Sequence, residues 1–160
     1  MQTITTQAAA LAAIEEAIPG VAHAYAEAPD TIEGNLPAFV NVPGQSTDLW
    51  GENLVEDAAG LEYFETIERR VWTCALYVAQ RGEGIEGEII RRCYPFFDSV
   101  RDALQGHQSL GGVKGVLKVT YQGDNGIAFE RLKYQNLIYS GIVFRLQITS
   151  RITSAIAPGE

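Results

Sequence analysis

The chain has 160 residues, 46% of them hydrophobic, and 12 Lys and Arg stand against 20 Asp and Glu for a formal net charge of -8. A length near roughly 150 residues predicts one domain, and the composition excludes wholesale disorder. No apolar stretch approaches the about 20 residues that a bilayer crossing takes, and the start lacks a signal peptide's basic and apolar regions.

Two cysteines, Cys74 and Cys93, cannot build a disulfide framework, so the chain reads as a soluble protein made in a reducing cytoplasm. Residues 1–68 carry 12 acidic side chains and no Lys or Arg, whereas residues 69–160 carry 12 basic and 8 acidic ones. That distribution predicts one negative and one mildly positive surface. It suits copies packed head to tail, or a negative face turned toward something it must not bind. The acidic total argues against nucleic-acid binding, which needs clustered Lys and Arg.

In chain order, Ile4, Ala8, Leu11, Ile14 and Ile18 recur at helical spacing and predict a first helix. Thr5 or Thr6 can cap it, and Pro19-Gly20 ends it. Residues 21–26 read as a short strand. After a loop with Pro29, Asp30, Gly34 and Asn35, residues 36–42 read as a second strand, with Pro37 near its start where a missing N–H does least harm. Residues 43–60 read as a polar, acidic loop, long for a passive connection.

A β-like run then extends from Glu62 to Arg81. In it Trp72, Cys74, Leu76 and Val78 share one face, and Val71, Thr73, Ala75 and Tyr77 the other. At about 3.3 Å per residue it would reach about 65 Å, beyond a small domain. It is therefore either broken by a bulge or leaves the body as a β-arm, with the 44–60 loop at the tip.

Gly82 to Gly87 is a glycine turn, followed by a helical stripe of Ile89, Cys93, Phe97, Val100 and Leu104. Pro95 predicts a kink or a fresh start within it, and Gly106 its end. Residues 113–121 alternate as a half-buried strand, Gly123-Asp124-Asn125-Gly126 predicts a hairpin turn, and residues 127–133 return. Residues 138–149 form the last strand, and residues 150–160 a flexible tail. The fold class is α+β: a mostly antiparallel twisted sheet with two helices packed on one face, plus a long β-arm or loop.

Gly82-Glu83-Gly84-Ile85-Glu86-Gly87 matches a dinucleotide fingerprint in spacing. Two glutamates beside a pyrophosphate, an alternating strand before it and no acid in the expected place argue for a plain turn. His23 shares a strand face with Tyr25 and Glu27, so acid–base work is conceivable there; His107 lies in a polar loop. Cys74 and Cys93 read as core residues. No zinc, zincin or nucleophile-elbow spacing occurs, and the acidic loop lacks calcium-ligand spacing. The residues thus predict no catalytic, metal or cofactor site. Leu49, Trp50, Leu54, Tyr63 and Phe64, large apolar groups outside the predicted core, are candidates for a subunit or partner interface.

Several stretches together resemble the tail terminator (tail completion, head-tail joining) proteins of long-tailed bacteriophages. They are Ile18-Pro19-Gly20-Val21, the Pro29 loop leading to Leu36-Pro37-Ala38-Phe39-Val40, and the long strand. Phe97-Asp98-Ser99-Val100-Arg101-Asp102-Ala103-Leu104 and the run from Tyr134 to Leu146 complete the set. The resemblance covers nearly the whole chain in element order, through structural motifs; residues 44–60 have no place in the pattern.

The resemblance implies a non-enzymatic virion protein of the tail and neck, made in the host cytoplasm. It implies a ring homo-oligomer, usually a hexamer, that caps the tail tube protein and stops its polymerisation. The other face of the ring would meet the head-tail connector, with DNA passing through the bore without specific binding. A ring needs heterologous contacts, which polarised charge and an arm both serve. Asp48, Glu52, Glu56 and Asp57 are candidates for an acidic bore or axial face along which DNA slides without sticking. The alternatives are another neck or head-completion protein, a small cytoplasmic enzyme using His23 or His107, and a monomeric ligand-binding module. Ring formation separates them.

Overall fold

An alanine-rich run favours helix at the start of the chain. In a computed structural model, which describes residues 3–56, 58–60, 62–82, 84–121 and 126–155, it forms α1, Thr3–Glu16. Ala8, Leu11, Ala12 and Ile14 are buried along it, and Ile18 just beyond it. Ile4, expected on the same stripe, is 42% exposed. The helix already includes Thr3, so Thr5 and Thr6 sit inside its first turns and do not cap it.

The strands are β1 (His23–Tyr25), β2 (Ala38–Glu56), β3 (Glu62–Gln80), β4 (Val116–Tyr121), β5 (Ala128–Tyr134) and β6 (Leu137–Ala155). A second helix, α2 (Glu86–Gln105), lies between β3 and β4. They make an α+β protein with one six-stranded sheet in the order β1-β2-β3-β6-β4, and β5 also pairs with β6. The sheet is mixed, because β1 runs parallel to β2; every other pair is antiparallel. One edge of β6 carries two partners end to end: β5 along residues 137–143 and β4 along residues 146–150.

The core follows the strand period of two. Trp72, Cys74, Leu76 and Val78 of β3 join Ile142, Phe144, Leu146 and Ile148 of β6 and Phe39 of β2. Leu11 and Ile14 of α1 and Cys93, Phe96, Val100 and Leu104 of α2 belong to the same cluster. Each large side chain so buried stabilises the fold by roughly 1.5–3 kcal/mol. The opposite parity forms a smaller cluster, in which Ile32 and Leu36 from the connection before β2 meet Ala38, Val40, Ala75, Tyr77 and Tyr139.

Three elements depart from the sequence pattern. On α2 the fully buried aromatic residue is Phe96, and Phe97 is half-buried beside the core. Pro95 neither breaks nor restarts α2; it and Arg91, whose carbonyl loses a partner, lie on the exposed side. Residues 113–115 belong to a turn, and β4 starts at Val116. Gly115 has φ +90°, and its ideal Cβ position lies 2.9 Å from the Arg151 carbonyl oxygen, so only glycine fits there. The following register shift leaves Leu117 exposed.

The largest departure is residues 43–60. They were expected to be a loop, yet β2 continues to Glu56, paired with β3 from Ser46 opposite Arg70 to Glu56 opposite Glu62. The tail is likewise strand, with β6 running through Ala155 opposite Tyr63. The last five residues and the centre of the 123–126 turn lie outside the described residues. The result is an arm of three strands that runs roughly 30 Å past the body at about 3.3 Å per residue. Among the described side chains of residues 43–71, only Glu68 is buried. Backbone pairing runs the length of this arm, and pairing by itself requires no hydrophobic alternation in a sequence.

Candidate functional site

Buried polar links anchor the arm's root to the body. Trp72 Nε1–H donates to Gln7 Oε1 at 2.9 Å, and Gln7 Nε2–H donates to Ser150 Oγ at 3.0 Å. One α1 side chain thereby joins β3 to β6. We expect Gln7→Leu to lower stability by about 1–3 kcal/mol, since it strands the buried indole N–H. Urea unfolding followed by Trp fluorescence measures this. At the same level Arg70 Nη2 pairs with Glu68 Oε2 at 3.1 Å, and Arg70 Nη1–H donates to the Gly44 carbonyl at 3.2 Å.

The five apolar interface candidates are all brought onto this arm: Leu49, Trp50 and Leu54 in β2, Tyr63 and Phe64 in β3. Their side chains lie outside the described residues. The register sets Leu54 opposite Phe64 and Val55 opposite Tyr63, so the aromatic pair sits near the arm's end and not at its base. Of the acidic candidates, Asp48 pairs in register with Glu68 and Glu52 falls in a register shift of β2. Asp57 lies outside the described residues. Glu56 is exposed and directly opposite Glu62, which is also exposed. Like charges in that relation repel.

A second surface was not visible in the sequence. On the sheet face opposite to Trp72, Cys74, Leu146 and Ile148, the half nearer the arm has no covering segment among the described residues. Across it run Val42, Thr73 and Arg145 in one row, and Arg69, Thr149 and Lys118 in another. Val42 is 52% exposed, and Arg69, Lys118 and Arg145 are exposed without an ion-pair partner among the described residues. Further out, Arg151 Nε meets Glu65 Oε1 at 2.9 Å. Only the pairing register places these residues side by side, which is why the sequence pattern missed them.

The histidines are far less organised. His23 Nδ1 lies 3.4 Å from Glu16 Oε1 and packs edge-on against Tyr25. His107 borders a shallow cleft of about 420 Å³ with Ser99 and Asp102. Its Nδ1, however, is held by the Ala103 carbonyl at 2.7 Å, and Ser99 Oγ donates to the Pro95 carbonyl at 2.9 Å. No nucleophile–base hydrogen bond links these groups. The glycine turn feeds a helix from β3, whose neighbours are antiparallel, and Glu86 there pairs with Arg131. A dinucleotide site needs parallel strands and a free helix terminus.

Cys74 and Cys93 are buried, unpaired by disulfide and part of the main core. Burial pushes the Cys74 thiol well up, and the nearby Glu15 carboxyl adds to the rise. Glu15 is itself 1% exposed; burial raises its pKa from 4.5 to about 8, against the hydrogen bond that Asn41 Nδ2–H donates to it. Among the described residues no group of three His, Cys, Asp or Glu side chains is placed to hold a metal ion. No described helix is long and apolar enough to cross a membrane. No protein-family model matches the chain, and no curated protein matches it.

Proposed function

We propose that this chain is a structural assembly subunit that closes into a ring with copies of itself and acts as a tail terminator of a long-tailed bacteriophage. The arm carries this reading. Ordering a residue costs about 1–2 kcal/mol of backbone entropy. An arm of three strands with almost no described side chain buried recovers little of that within one molecule. Burial against a second molecule supplies the missing stabilisation. The resemblance of the chain to tail terminators supports the particular role: a ring, usually hexameric, in the virion neck. One side of it ends the tail tube and the other meets the connector.

In this arrangement the two helices pack together on one side of the sheet and leave the other side for neighbouring subunits. The acidic first part of the chain, including the exposed Glu27, Asp30 and Glu33, faces the DNA bore or an axial surface. Phosphates are repelled there and the genome slides. The reaction chemistry is none: the subunit works by fit.

The direct test is light scattering with size-exclusion chromatography, followed by negative-stain imaging alone and with tail tubes. We expect closed rings that bind tube ends. A particle that stays at the 17.5 kDa of one chain at high concentration would overturn the reading. A second test removes the arm by joining Asp48 to Glu68, which face each other in register, through Asn-Gly. The excised body should melt within a few degrees of wild type, because the core lies outside the arm, and should lose assembly. Unchanged rings would count against the arm.

A further inference from the structure

The arm's end and the open sheet face each present charge that no ion pair among the described residues answers. At the end, Glu56 and Glu62 are exposed and paired directly across the strands. On the face, Arg69 and Lys118 flank Thr149 on adjacent strands, about 10 Å apart at the usual strand spacing, with Arg145 further into the body. Glu65, already engaged by Arg151, is the described carboxylate on this half of the face. We propose that the basic face of Arg69, Lys118 and Arg145 receives the acidic arm end, Glu56 and Glu62, of a second copy of this chain. The proposal rests on the ring reading and says which two surfaces meet.

Within one copy the arm's end does not reach this face. Glu62 and Arg69 stand on the same extended strand, and the seven steps between them span about 23 Å. The arm's end is held away from its own face by the strands that build both. The charges match between copies, and the two surfaces differ, so each contact leaves one free arm and one free face. Such a contact is heterologous and propagates until the rotation closes. A nucleic acid fits the face less well. Three unpaired cations on a chain of net charge -8 are few for a phosphate backbone, which is held by many Lys and Arg together. In this assignment Glu56 belongs to a subunit contact and not to the bore.

The test is charge reversal in the full chain, read by light scattering at matched concentration with circular-dichroism melts as a folding control. Glu56→Lys with Glu62→Lys should lower the assembled fraction about tenfold, and so should Arg69→Glu with Arg145→Glu. All four changes in one chain should restore much of the assembly, because the arm end and two of the three cations of the face are then inverted together. Wild-type assembly should weaken at 1 M salt, where the screening length falls to about 3 Å. Glu56→Gln with Glu62→Gln, a milder pair, should weaken assembly in the same direction if the reversed arm fails to fold. Wild-type rings unaffected by the reversals, or not restored by the fourfold variant, would overturn this contact and leave the ring reading standing. A wild-type chain that is monomeric would sink the ring reading. Wild-type monomers whose basic face instead retains a DNA oligonucleotide would overturn the proposal in favour of a polyanion.

Discussion

Replacing Gly141 by alanine should destabilise the fold severely. A Cβ at that position would lie 1.9 Å from the Leu76 carbonyl oxygen and 2.9 Å from its carbon. Both are backbone atoms of the neighbouring strand, in the middle of the core, so neither can swing aside as a side chain could. Gly141 pairs with Tyr77 at the point where β3 and β6 slip register before Ala79. The close approach lets the two long strands keep pairing through the slip. Relieving the overlap means parting them there, where Leu76 and Ile142 are wholly buried. We expect a loss of about 4 kcal/mol or more, a large share of the roughly 5–15 kcal/mol that keeps a domain folded. Soluble yield and urea unfolding measure it. Gly84→Ala is the control: nothing lies within 4 Å of its added Cβ, and the change should stay within about 0.5 kcal/mol. A Gly141→Ala chain as stable as wild type would disprove the strand register given for β3 and β6.

The second large effect is a pH dependence centred on Glu15. The side chain is enclosed between α1 and the sheet; Glu15 Oε2 and Asn41 Oδ1 are buried without a partner. These are the two atoms that a protonated carboxyl would join, with Oε2–H donating to Asn41 Oδ1 while Oε1 accepts from Asn41 Nδ2. Burial sets the folded pKa near 8, above the value of 4.5 for the free group. Between those values the folded chain keeps a proton that the unfolded chain has released. Stability from this group is therefore full below about pH 4.5, falls as pH rises through the window, and levels off above about pH 8. The loss is of the order of a few kcal/mol. Glu15→Gln should remove that slope and be the more stable protein at pH 8, because its amide pairs with Asn41 without a charge. Denaturant unfolding of both proteins from pH 5 to 9 tests this; the difference between them cancels the other titrating groups. Parallel pH profiles would refute it.

How much of the molecule was readable in advance depends on which force made each element. Where burial made it, the pattern was plain. The alternation of Trp72, Cys74, Leu76 and Val78 and the stripe of Cys93, Val100 and Leu104 meet in one core, and Ile89 of the same stripe is buried too. The long strand was expected over Glu62–Arg81 and runs over Glu62–Gln80. Where backbone pairing extended it, the pattern was silent. Residues 43–56 are mostly polar, carry Gly44 and Pro43 and do not alternate, so they read as loop although they form one of the arm's three strands. The break expected between residues 133 and 138 is a tight turn at Gln135 and Asn136, both with positive φ, and no glycine announces how short it is. The candidate site shared this fate. The apolar and acidic candidates were recognised one by one, and their gathering on a single arm came from β2 pairing with β3.

By itself, then, the amino-acid order determined the helices, the main strands and the core they enclose, together with the segregation of charge along the chain. Those are local or periodic properties, set by which side chains water rejects. The tertiary structure alone decided the length of the arm, the pairing of Glu56 with Glu62 at its end, and the row in which Arg69 and Lys118 flank Thr149. Hydrogen bonds between strands far apart in sequence fix these, and backbone amides and carbonyls are the same in every residue type but proline. Side-chain patterns therefore carry little trace of which strand meets which, or in what register.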